Sequence, residues 1–487
     1  MQQLREYQAR SVAQVRAYWE AGRRRVLLVS PTGSGKTRMG EELAQPFERC
    51  VWFAHRIDLI ADAAKRLAAS LGALEVGIIA PGIAPSPYSR VQVATVQTAL
   101  ARGVRPPADL VVIDEAHHIV ADDWNKVLDA YPDARVLLLT ATPERQDGRG
   151  MSEVADVMVV AAEYSELLAA GHLTPVRVFR PEQILGNALA QDPVEAWLRY
   201  SEGSPGFAFF GSVKVAYESE HRMNQRGIRA AVVEQGTARA DRMRYIAQLR
   251  DGDLDCICNV YTMTEGVDVP RARVCMLASA CNHCGGFLQK TGRVVRPHES
   301  STELQGYALA ASGLWVKQNA ILIDLTGASI LHGLPTEDRV YSLDGEPIKR
   351  RDVVPLKGCP SCGATIHEAY TACPECAWVF AVEKKRRGQR IFSLDLVEVF
   401  AGLHTPPDAK RQAYAELRAK QRAEGYELGW IQVQYKLVFL ESCHITDATN
   451  AEKRAELAKL SALAKSKGFK PKFVDVKFKQ LFGHWPS

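Results

Sequence analysis

Ser30-Pro31-Thr32-Gly33-Ser34-Gly35-Lys36-Thr37 directly follows an apolar run at 26–29 and opens a stretch of helical composition. Glycines at this spacing let successive backbone N–H groups turn inward around phosphate oxygens, and a helix start adds favourable potential for an anion. Thr32, Gly33, Ser34 and Gly35 then form a phosphate cradle. Lys36 is placed to reach the outer phosphates of a nucleoside triphosphate, and the Thr37 hydroxyl to hold Mg2+. The generic motif has Gly where this chain has Ser30. A second cluster, Asp114-Glu115-Ala116-His117, closes another apolar run at 110–113. Asp114 suits the Mg2+ shell, and Glu115 suits orienting and deprotonating a water. Phosphoryl transfer needs metal and water positioning more than covalent chemistry, which two adjacent carboxylates supply. Together the motifs specify a nucleotide hydrolase and no more.

The elements that must position these residues are legible as apolar runs. Residues 26–29, 51–54, 91–95, 110–113 and 136–140 read as buried strands, and the segments between them, such as Asp58–Ser70, as helices. That alternation predicts a parallel sheet covered on both faces. A second series, at 207–210, 230–233, 254–260, 274–279 and 320–325, predicts a second lobe of the same kind. The fold class is therefore α/β, with two tandem parallel-sheet lobes. No run approaches the roughly 20 apolar residues of a membrane span, and the polar start lacks a signal-peptide core. A cytoplasmic protein with no membrane role is the expectation.

Further motifs, in order over about residues 4–300, give the chain a resemblance to the superfamily 2 helicases. Leu4-Arg5-Glu6-Tyr7-Gln8 resembles the adenine-reading motif, with Arg5 and Gln8 at the base. Ala54-His55-Arg56 and Thr95-Val96-Gln97 fall where the family grips the phosphates of a strand, and Thr140-Ala141-Thr142-Pro143 resembles the motif coupling hydrolysis to movement. In the second lobe Phe210-Gly211-Ser212 and Gly236-Thr237 fall where further backbone contacts are made. Thr264-Glu265-Gly266-Val267-Asp268 resembles the motif bridging nucleotide and strand, with Thr264 on the strand and Gly266 and Asp268 on the nucleotide. Gln289-Lys290-Thr291-Gly292-Arg293-Val294-Val295-Arg296 resembles the arginine-finger motif, with Lys290 where the family often has Arg. The resemblance implies RecA-like lobes and ATP with Mg2+ between them. Lys36, Asp114 and Glu115 then stand on one wall of the site, and Gln289, Arg293 and Arg296 on the other. It is nearest to RadD-type bacterial helicases and related bacteriophage helicases, although RadD-type proteins have Cys at the third position of the Asp114 motif.

Beyond the lobes, Cys359, Cys362, Cys373 and Cys376 form two CxxC pairs separated by ten residues. Four thiolates so spaced can surround one structural Zn2+. Cys281 and Cys284 read as thiols rather than a second metal site. An odd total of 11 cysteines argues against a disulfide framework. From Glu383 onward there are 20 Lys and Arg against 12 Asp and Glu, in a chain of only +5 overall. That block suits a polyanion, or equally a solvated helical surface. It contains a repeat in which Gly425, Tyr426 and Trp430 return 43 residues later as Gly468, Phe469 and Phe473. The expected organisation is a first lobe over 1–165, a second over 166–335, and a linker at 336–357. A zinc ribbon at 358–382, a basic linker at 383–404 and a duplicated helical module at 405–487 follow. The expected activity is ATP-driven movement on DNA, single-stranded or branched, by a monomer, with a replication or repair protein as a possible further partner. A translocase that does not unwind, an RNA helicase, and a hydrolysis-incompetent clamp acting through the cysteine segment and tail are the competing readings.

Overall fold

A computed structural model of the chain describes residues 3–54, 57–72, 75–80, 83, 89–103, 105–118, 128–143, 150–262, 267–304, 306–310, 312–344, 356–358, 365–367, 389, 391–401, 414–415, 418–423, 453 and 456–462. It divides into two compact units, Met1–Leu396 and Val397–Ser487.

The first unit holds both lobes. In the first lobe, β1 (Arg25–Val29), β2 (Cys50–Ala54), β3 (Val76–Ile79), β4 (Val91–Thr95), β5 (Leu110–Ile113), β6 (Arg135–Thr140) and β7 (Val157–Val160) form one sheet in the order β3-β4-β2-β5-β6-β1-β7. Every pairing is parallel. The apolar runs are continuous because both faces are covered. Val26, Leu28, Trp52 and Leu139 enter one core, while Leu27, Val29, Phe53 and Leu138 enter the other. Parallel strands bring all their C-terminal ends to one edge, so the loops after β1, β5 and β6 emerge side by side.

The second lobe repeats the plan with β8 (Val176–Arg180), β9 (Gly206–Phe210), β10 (Ala230–Val233), β11 (Cys256–Asn259) and β12 (Val274–Ala278). After these come β13 (Glu299–Ser300), β14 (Tyr307–Leu309), β15 (Trp315–Lys317) and β16 (Ala320–Asp324). The parallel order is β10-β11-β9-β12-β16-β8, and Ala208, Met276 and Ile323 share one core face. Strands β13, β15 and β14 form a small antiparallel sheet inserted after Arg296. Spacing alone does not anticipate that sheet. The expected lobe boundary at 165 falls inside the helix Tyr164–Ala169.

Leu356–Gly358 and Thr365–His367 pair as antiparallel strands. The four cysteines Cys359, Cys362, Cys373 and Cys376 lie outside the described residues, as does most of the tail repeat. The second unit is described as a strand at Val397–Ala401 and short helical stretches within 414–423 and 453–462. Among the described residues no helix is long and apolar enough to cross a membrane.

Candidate active site between the lobes

The phosphate loop takes the shape its glycines allow. Gly33 and Gly35 have φ of 90° and 88°, left-handed values that a side chain resists. Gly35 ends the loop and starts the helix Lys36–Ala44, so Lys36 and Thr37 occupy its first turn. Ser30 N donates to Thr140 O at 3.0 Å, and Ser34 Oγ to Pro31 O at 2.6 Å. The N-terminal helix Glu6–Glu20 braces the loop from the side. Tyr7 Oη and Gln8 Nε2 both donate to Ser34 O, the latter at 2.9 Å, and Arg5 N donates to Gln8 Oε1 at 3.0 Å. Gln8 therefore stands against the phosphate loop, with Arg5 bonded to it through its backbone.

Lys36 Nζ lies 3.2 Å from Glu115 Oε1, with both side chains mostly buried. Glu115 itself has φ of 52°, a strained value for a non-glycine residue. Its N–H donates to Asp114 Oδ1 at 3.0 Å. Burial first, and repulsion from Glu115 second, push Asp114 up to about 7. A desolvated carboxylate beside a second one fits a divalent cation, which would replace the water both have lost. Asp114 and the Thr37 hydroxyl are the donors such an ion would take. Among the described residues no cluster of three or more His, Cys, Asp or Glu side chains is assembled.

The second lobe meets this wall directly. A Cβ added to Gly292 would lie 2.6 Å from Thr32 Cβ, so the finger loop packs against the phosphate loop. A Cβ at Gly33 would lie 3.3 Å from Arg296 Cγ and 3.4 Å from its Nε. Arg296 therefore runs along the cradle, its guanidinium paired with Asp268, whose Oδ1 is buried without a hydrogen bond. Arg293 Nη1 donates to Val267 O at 2.8 Å.

Gln289 departs from expectation. Instead of facing the nucleotide, its Nε2 lies 2.8 Å from His117 Nε2, and the side chain is 6% exposed. With the amide donating, His117 carries its proton on Nδ1 and donates to Thr140 Oγ1 at 3.0 Å. Thr140 in turn donates to Thr142 O at 2.6 Å. This chain of bonds runs from the finger helix Cys284–Thr291 to the turn after β6. His117, Thr140 and Thr142 lie in motifs visible in the sequence, but their joint role needs a contact spanning 172 residues.

The expected strand contacts are reached only in part. His55, Arg56 and Thr264, and the Gln97 side chain, lie outside the described residues, as does Gly266, expected at the nucleotide. Thr95 is 7% exposed and caps the helix Val96–Arg102, its Oγ1 accepting from Thr98 N at 3.1 Å. A buried capping hydroxyl is spent on its own backbone. That corrects the expectation that it grips a strand. Ser212 opens the helix Val213–Gln225, and Glu234 N donates to Thr237 Oγ1 at 2.9 Å across the Gly236 turn.

Comparison with known proteins agrees with this arrangement. Residues 1–145 match the model described as type III restriction enzyme, res subunit, and residues 192–298 that described as helicase conserved C-terminal domain. A 51.5 kDa protein of a Lactococcus phage is 25% identical over 402 residues, 76% of this chain and 82% of its own length. A Sulfurisphaera tokodaii protein named DNA 3'-5' translocase XPB2 is 24% identical over 365 residues, covering 62% of this chain and 80% of that one. A fragment described as an HsdR subunit of a type I restriction enzyme from Vibrio vulnificus superposes with a TM-score of 0.52 at 18% identity. It covers 70% of this chain and 67% of its own. At that identity the likeness is one of fold.

Proposed function

We propose that this chain, which belongs to helicase superfamily 2, is an ATP-driven motor that tracks one strand of DNA and opens duplex or branched DNA ahead of it. The observation that carries the reading is the meeting of Arg296 with the phosphate loop at Gly33, beside the Gln289–His117 bond. Groups from two lobes bound one cradle, and a triphosphate there interacts with both only while they are together.

Thr37 and Asp114 would hold the Mg2+ that accompanies ATP, which would supply charge neutralisation at the phosphate oxygens. Lys36 gives its ammonium to the outer phosphates, exchanging the Glu115 carboxylate for them. Glu115, released from Lys36, is free to orient a water and take its proton. Arg296, freed from Asp268, has a planar fork suited to phosphate oxygens, as does Arg293. Loss of the outer phosphate removes what both lobes share, and the lobes part. Strand contacts divided between lobes then convert each cycle into a step.

DNA is favoured by the relative named as a DNA translocase and by the basic block from Glu383 onward. That relative's name also supports a second reading, movement without strand separation. The test measures ATP turnover alone, with single-stranded DNA and with RNA, followed by a forked-duplex assay. DNA should raise turnover about tenfold or more, and the fork should open. Turnover indifferent to DNA would refute the motor, while stimulation without opening would favour bare translocation.

A further inference from the structure

The C-terminal edge of the second lobe carries an aromatic side chain in a conformation that packing does not require. Tyr261, just past β11, has φ of 57° and is 70% exposed. A bulky residue rarely holds that backbone value without something enforcing it. Here the enforcement is visible. Asn259 Oδ1 accepts from Thr262 Oγ1 at 2.6 Å and from Thr262 N at 3.3 Å, closing a turn with Tyr261 at its tip. Val260 N donates to Val233 O at 2.9 Å, holding the turn to β10.

The ring is tied at its far end too. Tyr261 Oη donates to Gly211 O at 3.2 Å, and a Cβ at Gly211 would lie 3.6 Å from that oxygen. The side chain thus reaches from the end of β11 to the end of its neighbour β9. With 70% of it exposed, a ring face is left to solvent. A hydrophobic core would bury this ring, and a flexible surface tyrosine would not be fastened at both ends.

The surroundings supply the rest of a nucleic-acid site. Gly211 leads into Ser212 and the helix Val213–Gln225, whose first N–H groups offer positive potential at the same edge, while the exposed Lys214 lies 3.7 Å from Glu218 and must leave it to meet a phosphate. Val213 and Tyr217, one turn apart on that helix, are 42% and 50% exposed. Positive groups for phosphates beside a fixed, open ring face form the combination by which single strands are held without reading sequence.

We propose that Tyr261 is a stacking platform for a base of the tracked strand, positioned by the Asn259 turn and the Gly211 carbonyl. The proposal rests on the motor reading above and adds a base contact to it. Stacking tolerates any base, so it adds grip without sequence preference.

The experiment compares the affinity of the full chain for a thymidine oligonucleotide with that for the same oligonucleotide carrying a central run of abasic sites, at fixed salt. Wild type should prefer the intact strand by about tenfold or more. Tyr261→Ala should lose most of that preference while its affinity for the abasic strand stays near wild type. Tyr261→Phe, which keeps the ring but loses the bond to Gly211 O, should keep part of it. Tyr261→Trp should keep it, and the tryptophan variant's fluorescence should be quenched by the intact strand only. The same base-to-abasic ratio in wild type and Tyr261→Ala, with both folded by thermal melting, would overturn the platform. So would a Tyr261→Trp ratio as low as that of Tyr261→Ala, since a larger ring would then add nothing. Wild type that binds neither strand would sink the nucleic-acid reading itself, a distinct result.

Discussion

Lys317 is a deeply buried cation near the finger, 4% exposed at the end of β15. Its Nζ donates to Pro270 O at 3.0 Å and Ala272 O at 2.8 Å, fastening the loop that begins at Asp268, the partner of Arg296. Two carbonyls do not repay a buried ammonium for lost water. Burial, and then Arg273, lower its pKa from 10.5 to about 7. The unfolded chain therefore holds more protons than the folded one between about pH 7 and 10.5. Stability should rise across that window, the burial cost being full below pH 7 and relieved above it. Urea unfolding of wild type should show that rise between about pH 7 and 8, on the order of 1 kcal/mol, before ionising thiols of the unfolded chain bring in the opposing effect of the buried cysteines. In Lys317→Met it should be missing. A rise of equal size in the variant would assign it to other groups.

The finger helix and the Asp114–His117 turn act as one joint. Gln289→Ala and His117→Ala each remove the bond between them, so each should slow DNA-stimulated hydrolysis by about tenfold. The double variant should be no worse than the weaker single one, measured as kcat. Multiplying effects would mean the two act separately. How much of this was readable beforehand follows from burial. Strands such as β1, β5 and β9 are covered on both faces, so their apolar runs announce them. β3 is broken by Gly77, and β8 carries Arg177 and Arg180, which pair or bond elsewhere and disguise it. The phosphate loop and finger arginines are legible because their chemistry demands fixed residue types. Motif position does not reveal whether a side chain is already satisfied by its neighbours, as Thr95 is by Thr98 and Gln289 by His117. Tyr261 escaped because its orientation depends on a left-handed backbone at a residue that is not glycine.

Across the whole molecule, the segment before the four cysteines and the segment after them attach to different lobes. Leu343 O accepts from Met151 N at 2.8 Å, and Tyr341 and Leu343 pack on the first lobe's core. Phe392 N and Leu394 N donate to Leu189 O and Ala190 O in the second lobe, each at 2.8 Å. The four cysteines expected to hold zinc, Cys359, Cys362, Cys373 and Cys376, lie in sequence between these two attachments and outside the described residues. Native mass spectrometry should then find one zinc per chain, lost when Cys359 and Cys362 become Ser, and a folded chain without metal would exclude it. In the proposed motor, ATP is hydrolysed only when the second lobe reaches the phosphate loop. Single-turnover hydrolysis of prebound ATP by Arg293→Ala and Arg296→Ala tests it most directly. Nucleotide affinity should change only a few-fold while at least one variant hydrolyses about a thousandfold more slowly; hydrolysis at the wild-type rate in both would contradict the account.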